Sequence, residues 1–149
     1  MLSDTATRVQ RHTASRLNDR IRNEMESRVS ALKSDDRTAL VDRRLAELDR
    51  EWDIERVLKM NFAILSLVGL AMTAGKSRRW LLLALGVPAF MIQHSLQGWC
   101  PPLPILRRLG FRTSKEINEE RFALKSLRGD FDHVAHSAST DDIVRAVTR

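Results

Sequence analysis

Two long apolar runs interrupt an otherwise highly charged chain. Residues 57–106 carry four charged side chains, all of them basic, whereas the other 99 residues carry 40. Within this stretch, residues 60–75 and 80–99 are apolar around the whole circumference of a helix rather than along one stripe. At about 1.5 Å per residue, the second run is about 28 Å long, which matches the hydrocarbon core of a bilayer. The pattern predicts two membrane-spanning helices.

These two runs predict an all-α fold built around a transmembrane helical hairpin. The spans are predicted at about residues 57–75 and 80–99, and the short polar turn between them requires antiparallel neighbours. Two buried helices of a soluble domain are the alternative, but the remaining helices offer only narrow apolar stripes to cover them. We therefore expect a cytoplasmic amphipathic arm at 1–56, the hairpin at 57–106, and an interfacial segment with cytoplasmic helices at 107–149.

The flanking charges predict an orientation for this hairpin. Nine Lys and Arg residues lie near the membrane on the side of the two termini, against three in the turn. Basic residues concentrate on the cytoplasmic side, so both termini are expected there. The N-terminal region is not acid-poor in the way of an organelle transit peptide, which favours a bacterial inner membrane.

The charged arms carry helical stripes of apolar residues. Residues 4–33 are predicted to form one long helix, followed by a second helix that continues into the first span. These helices are expected to pair with each other, with a second copy or with a protein partner. Their stripes are Leu17, Ile21, Met25, Val29 and Leu32, and then Val41, Leu45, Leu48 and Trp52.

The apolar helix of the second span is expected to end before Pro101, Pro102 and Pro104, because proline disfavours a helix interior. The residues that follow alternate between apolar side chains and arginines, which predicts a segment lying in the membrane interface with its arginines near phosphates. A capping pattern at Thr113 and Glu116 predicts a helix that runs to Arg128 and stops at the next glycine. A loop at 130–139 and a short helix at 142–148 complete the prediction. The interfacial residues are Ile105, Leu106, Leu109 and Phe111, with Arg107, Arg108 and Arg112.

Small residues inside the spans indicate where the two helices approach each other. They recur at helical spacing on both spans, and small side chains allow the backbones of membrane helices to come close. The predicted contact residues are Ser66, Gly69 and Thr73 on the first span and Ala84, Gly86 and Ala89 on the second.

Composition excludes several functional classes. The chain has 25 Lys and Arg against 19 Asp and Glu, but the excess is spread along its length, so no nucleic-acid face is expected. A single cysteine excludes a disulfide within one chain. We find no phosphate-binding loop, dinucleotide glycine pattern or Ser-His-Asp set, so neither an enzyme nor a cofactor is predicted.

Four polar residues in or beside the spans are candidates for chemistry. Cys100 follows the second span and precedes several arginines, which favour a thiolate; a small apolar role is the alternative. His94 is the only ionisable residue in that span, and with Gln97 and Asn61 it is a candidate intramembrane polar site; a neutral histidine hydrogen-bonded to a neighbour is the alternative. Cys100 lies six residues beyond His94, on a different helix face, so no metal site is expected there.

His133 and His136 fall in the predicted loop without acidic neighbours at ligand spacing, and no metal site is predicted for them either.

A short motif after the second span resembles that of a known family. The run Gly98-Trp99-Cys100-Pro101, followed by Leu109-Gly110 and Thr113, resembles the YgaP-like inner-membrane domain family, over about residues 56–116. The resemblance implies a two-span, helical, self-associating domain without an established activity, which in some members follows a rhodanese sulfurtransferase domain. Ser114 stands where many members have a second cysteine, so a relay between two thiols is not implied here.

Three functions are compatible with this sequence. The first is a non-enzymatic membrane scaffold or adaptor that self-associates and presents its N-terminal helices to a protein partner. The second is a thiol-dependent sulfur-transfer or redox accessory acting through Cys100. The third is an accessory subunit of a transport assembly, with His94 and Gln97 near a pathway.

Overall fold

The described residues fold entirely into helices. A computed structural model describes residues 7–33, 38–75 and 77–132, and no strand occurs among them. The all-α class predicted from the sequence is therefore confirmed. The helices are α1 (Arg8–Arg11), α2 (Ser15–Ala31), α3 (Thr38–Arg50), α4 (Ile54–Gly75), α5 (Leu81–Gln97), α6 (Leu103–Arg108) and α7 (Ser114–Arg128), with one 3-10 turn at Arg78–Trp80.

The predicted long helix at the N-terminus is interrupted. α1 ends at Arg11, and α2 begins only at Ser15. At the break, the Thr13 hydroxyl donates to the Val9 carbonyl at 2.8 Å, and the Asn18 side-chain amide donates to the Gln10 carbonyl at 2.9 Å. Such side-chain bonds to backbone groups compete with continued helix, which explains the interruption.

The expected continuation of α3 into the first span is also interrupted. α3 ends at Arg50 and α4 begins at Ile54. One carboxylate oxygen of Asp53 accepts a hydrogen bond from the Arg56 backbone N–H at 2.7 Å, and the Ile54 N–H donates to the Arg112 carbonyl at 2.8 Å. An Asp at this position satisfies a free N–H of the first helical turn, so α4 starts as a new helix.

Two stretches, Thr38–Gly75, which includes α4, and Arg78–Gln97, which includes α5, each contain a helical window long and apolar enough to cross a membrane by length and composition. Only 17% of the most apolar window of the first stretch is buried within the chain, and 11% of that of the second. A core helix of a soluble protein would be mostly buried. The outward side chains include Leu67, which is 67% exposed, and Leu82, which is 79% exposed.

The chain divides into two compact units. The first contains the described residues within Met1–Ile21 and Trp52–Lys115, and the second those within Arg22–Glu51 and Glu116–Arg149. The core of the first unit includes the first half of α4, and most of it lies on the side away from the turn that connects α4 to α5. This core consists of Val9, Ile54, Leu58, Phe62, Val87, Cys100, Leu103 and Leu106.

The second unit buries the apolar stripes of the charged helices. α3 and α7 supply this core, and Val29 at the end of α2 and Leu32 just after it pack against the core. The predicted helix up to Arg128 is confirmed, and Gly129 ends it with a φ of +85°. Of the predicted loop at 130–139, residues 130–132 form a turn, and the rest lies outside the described residues, as does the predicted helix at 142–148. The core residues are Val41, Leu45, Leu48, Ile117 and Leu124.

Within the first unit, α4 and α5 approach each other closely at Gly69. A Cβ atom at Gly69 would lie 2.8 Å from the Ala84 backbone nitrogen, whereas a Cβ at Gly86 would meet nothing within 4 Å. The predicted small-residue contact is therefore confirmed for Gly69 and Ala84, but Gly86 does not contribute to it.

We expect Gly69→Ala to destabilise the protein by about 1–2 kcal/mol, because overpacking costs more than the gain in helix propensity. Gly86→Ala is the matched control, and it should be neutral or slightly stabilising. The thermal midpoint of each variant in detergent micelles measures the difference. Equal midpoints for the two variants would contradict the close approach at Gly69.

Candidate functional site

A buried histidine and a carboxylate meet where α4 begins and α5 ends. His94 in the last turn of α5 is fully buried. Its Nε2 lies 3.2 Å from Oε2 of Glu55, which stands in the first turn of α4. These residues are 39 positions apart in sequence, and the packing of α4 against α5 brings them together. The pair is a partly buried polar contact within the first unit.

An arginine from α1 joins this pair. The Arg8 guanidinium donates to the Ser95 carbonyl at 3.1 Å and lies 3.5 Å from Oε1 of Glu55. Both carboxylate oxygens of Glu55 are thus engaged, one by Arg8 and the other by His94. A carboxylate that is held on both sides is a fixed structural charge rather than a free base.

Gly98 allows Arg8 to come this close. Its φ of +75° ends α5 in the left-handed conformation, and its N–H donates to the His94 carbonyl at 2.7 Å. A Cβ atom at this position would lie 2.6 Å from Cβ of Arg8. Both the backbone conformation and the close contact require glycine.

Cys100 lies in the same buried cluster. Its thiol is free, fully buried, and beside the His94 ring. No hydrogen bond of ordinary geometry reaches Nδ1 of that ring. The sequence predicts different helix faces for His94 and Cys100, but the chain leaves the helix at Gly98 and turns back, which brings the thiol next to the imidazole.

One of the downstream arginines predicted to activate Cys100 binds other groups in this structure. Arg107 is fully buried and faces elsewhere: its guanidinium donates to Oδ1 of Asn18 at 2.8 Å and to the Phe111 carbonyl at 3.2 Å. The thiol, the imidazole and the Glu55 carboxylate adjoin each other as in a nucleophile–base–acid series. Because the sulfur is sealed from solvent, a substrate cannot reach it in this conformation.

Cys100 is therefore expected to resist alkylation. In the folded protein, N-ethylmaleimide should react roughly 100-fold more slowly with Cys100 than in the same chain unfolded in dodecyl sulfate, because reaction requires local opening. Mass spectrometry of timed samples measures both rates, and since Cys100 is the chain's one cysteine the signal is unambiguous. Labelling at similar rates in the two states would show that the thiol is accessible.

The segment after α5 differs from the predicted interfacial segment. Pro104 lies within α6, but in its first turn, where proline is tolerated. Arg107 and Arg112, expected near lipid phosphates, are buried, and of the three arginines only Arg108 is exposed. The buried guanidinium of Arg107 donates from its two terminal nitrogens to the Phe111 carbonyl and to Asn18, while no hydrogen bond reaches its Nε.

The other predicted site residues do not gather around His94. Asn61 and Gln97 are both exposed on the helices that carry them. Among the motif residues, Gly98, Cys100 and Thr113 are buried, and Thr113 accepts a hydrogen bond from the Gln10 side chain at 3.4 Å. The exposed members are Trp99, Pro101, Leu109 and Gly110.

Glu55 and Arg8 are the site residues that sequence reasoning missed. Glu55 is the last acidic residue before the charge-poor stretch, and His94 is the only ionisable residue late in the second run. In an antiparallel pair, an early residue of one helix lies opposite a late residue of the other, and this signal could have paired the two. Arg8 carries no comparable signal, because it stands in a region rich in arginine.

The described residues contain no group of three or more His, Cys, Asp or Glu side chains suited to hold a metal ion. His133 and His136 lie outside the described residues.

Comparisons with protein-family models, with curated proteins and with solved structures find no match to this chain. The resemblance to YgaP-like domains accordingly remains a prediction from the short motif around Cys100.

Proposed function

We propose that this chain is a two-span protein of a bacterial inner membrane that acts as a non-enzymatic scaffold. In this proposal α4 and α5 form a transmembrane hairpin, both termini face the cytoplasm, and the charged helices form a folded cytoplasmic unit. The observation that carries the proposal is the contrast in burial. The charged helices bury their own apolar stripes, whereas the apolar helices leave most of their side chains uncovered.

The exposed surface of α4 and α5 supports a lipid environment. Leu67, Leu70, Leu82 and Leu85 are each more than half exposed. In water, so large an apolar surface would drive aggregation, whereas the hydrocarbon core of a bilayer accommodates it. The charged side chains near the pair stand at its two ends, as expected for helices that cross a bilayer.

The second unit supports a scaffolding role because its charged groups hold the unit itself together. Glu120 is fully buried and meets both Arg28 and Arg44, and Arg128 bridges Asp42 and Asp130. The two aspartates raise the pKa of Arg128, mainly through the hydrogen bond to Asp130. These contacts stabilise a rigid helical surface of the kind that a partner can bind.

The predicted route of partner binding needs revision. Ile21 and Leu45, which belong to the apolar stripes expected to bind a partner, are buried in the structure, so polar substitutions there would unfold the chain instead of blocking a contact. Leu40 and Phe122 of the second unit remain 46% and 43% exposed, and they are better probes of a partner surface. The burial of Cys100 weighs against the thiol-accessory alternative.

Photo-crosslinking in native membranes tests the scaffold proposal. A photoreactive residue is placed at Leu40 or Phe122, with lipid-facing Leu67 as the comparison site. The proposal predicts a discrete protein adduct from the second unit that persists in Cys100→Ala, and an adduct of twice the chain mass if the chain self-associates. Loss of the adduct in Cys100→Ala would favour the thiol alternative, and its absence at both positions would contradict the scaffold.

A further inference from the structure

A cavity of about 870 Å³ opens in the first unit beside the Glu55–His94 pair. Its walls come from α1, from the first turns of α4 and from the residues around the start of α7. Four basic side chains line it, against two acidic ones. The basic residues are Arg8, Arg56, Lys59 and Lys115, and the acidic ones are Asp53 and Glu55.

Both carboxylates in this cavity are already bound by the chain. Asp53 accepts the Arg56 backbone N–H on one oxygen and the Ser114 hydroxyl on the other. Glu55 is held by Arg8 on one oxygen and by His94 on the other. The acids are thus occupied, and the cavity keeps an excess of positive charge.

Two of the cations stand on one face of α4. Arg56 and Lys59 are three residues apart, so their side chains project to the same side of the helix. The Arg56 guanidinium lies 4.3 Å from the centre of the Trp52 ring, which orients it without using its N–H donors. Among the described residues, neither cation forms an ion pair with a carboxylate. Their donors suit the oxygens of a phosphate.

An apolar groove continues from this cavity along the helices. It has a volume of about 380 Å³, and α4 and α5 form its walls. Lys59 and Ala63 line both the cavity and the groove, so the two are contiguous. From Lys59 to Ser66 the groove extends about 10 Å along α4. Its other walls are Phe62, Pro88, Met91 and Ile92.

We infer that the cavity and the groove together bind one anionic phospholipid of the bilayer. The phosphate would lie against Arg56 and Lys59, and the upper part of an acyl chain would occupy the groove. A free phosphate would use the cavity alone and leave the groove unexplained. The inference rests on the proposed membrane location, because it requires the groove to face lipid. Basic residues close to a membrane surface attract anionic headgroups, and the groove adds the selectivity for a whole lipid.

Native mass spectrometry of the full-length protein in detergent tests the inference. The probes are phosphatidylglycerol, phosphatidylcholine and inorganic phosphate. We expect phosphatidylglycerol to be retained in preference to phosphatidylcholine, and the double variant Arg56→Gln/Lys59→Gln to bind it roughly 30-fold more weakly. The control is Arg78→Gln/Arg79→Gln at the turn, which removes the same charge and should change retention less than about twofold.

A second variant keeps the test valid if the double variant misfolds. Ala63→Phe narrows the junction between cavity and groove without altering charge, and it should also reduce retention of phosphatidylglycerol. Equal retention of the two lipids, or equal losses in the cavity and turn variants, would overturn the inference. Displacement of the lipid by millimolar inorganic phosphate would assign the cavity to a free anion instead.

Failure of this inference can be distinguished from failure of the proposed function. A protein that resists carbonate washing of membranes but shows no lipid preference refutes only the lipid site. A protein that carbonate releases from the membrane refutes the two-span proposal itself, and the lipid site with it.

Discussion

Arg107→Ala is expected to lower the free energy of unfolding by about 4 kcal/mol and the thermal midpoint by roughly 8–16 °C. Arg107 is fully buried, and its guanidinium donates to Asn18 Oδ1 and to the Phe111 carbonyl. Alanine leaves a cavity and removes a donor from each of these oxygens inside the fold. Circular dichroism of the full-length protein in detergent micelles measures the midpoint.

Arg108→Ala provides the matched control. Arg108 is the next residue, carries the same charge and is exposed, so its replacement should change the free energy of unfolding by less than about 0.5 kcal/mol. If both variants unfold at the same temperature, Arg107 does not stabilise the first unit from within, and its place in an interfacial segment would have to be reconsidered.

Glu120→Ala is expected to destabilise the second unit by about 3 kcal/mol, which lowers the thermal midpoint by roughly 6–12 °C. The Glu120 carboxylate is fully buried. Arg28 binds it with two N–H groups at 3.3 Å each, and Arg44 binds it at 2.8 Å. The loss falls short of that of a fully enclosed pair, because both arginines are partly exposed and regain water when the carboxylate is removed.

The neighbouring Glu119 offers the comparison. It is exposed on the same helix, so Glu119→Ala removes the same charge without emptying the buried position. We expect its midpoint to stay close to that of the parent chain, within about 2 °C. A Glu120→Ala protein as stable as the Glu119→Ala protein would show that the arginine pair adds nothing to the stability of the unit.

Most helices of this protein could be predicted from the sequence, because the apolar runs, apolar stripes and capping residues that indicate a helix lie within or next to that helix. The two apolar runs predict helices at 57–75 and 80–99, and the structure has α4 at Ile54–Gly75 and α5 at Leu81–Gln97. The apolar stripe of α3 and the end of α7 at Arg128, before Gly129, could also be predicted from the sequence. Periodicity and capping act over a few residues, so these helices can be recognised without knowledge of the fold.

The breaks between helices were less predictable. The interruption after Arg11 depends on Thr13 and Asn18 bonding to backbone carbonyls, and these residues also occur inside helices. The break before Ile54 depends on Asp53, whose capping role is local, and on the Arg112 carbonyl, which is not. A hydrophobic stripe can continue in phase across such a break, so periodicity alone does not reveal it.

Two residues of the candidate site could be predicted from the sequence, but not their contacts. His94 and Cys100 were singled out because an ionisable residue and a thiol are rare in apolar stretches. Their contact with each other arises from the left-handed turn at Gly98, and the contact of His94 with Glu55 arises from the packing of α4 against α5. The burial of Arg107 depends on Asn18, which lies 89 positions away. Contacts over such separations require the fold.

Labelling from one side of the membrane tests the central claim, that α4 and α5 cross the bilayer as a pair. Ser77 in the turn and Ser126 in α7 are both exposed, and each is replaced by cysteine in turn, with the parent chain as the control for buried Cys100. With a membrane-impermeant maleimide on intact cells, we predict labelling of Ser77→Cys and not of Ser126→Cys, and labelling of both once the membrane is opened. If intact cells label both positions or neither, the two helices do not cross the membrane in the proposed way.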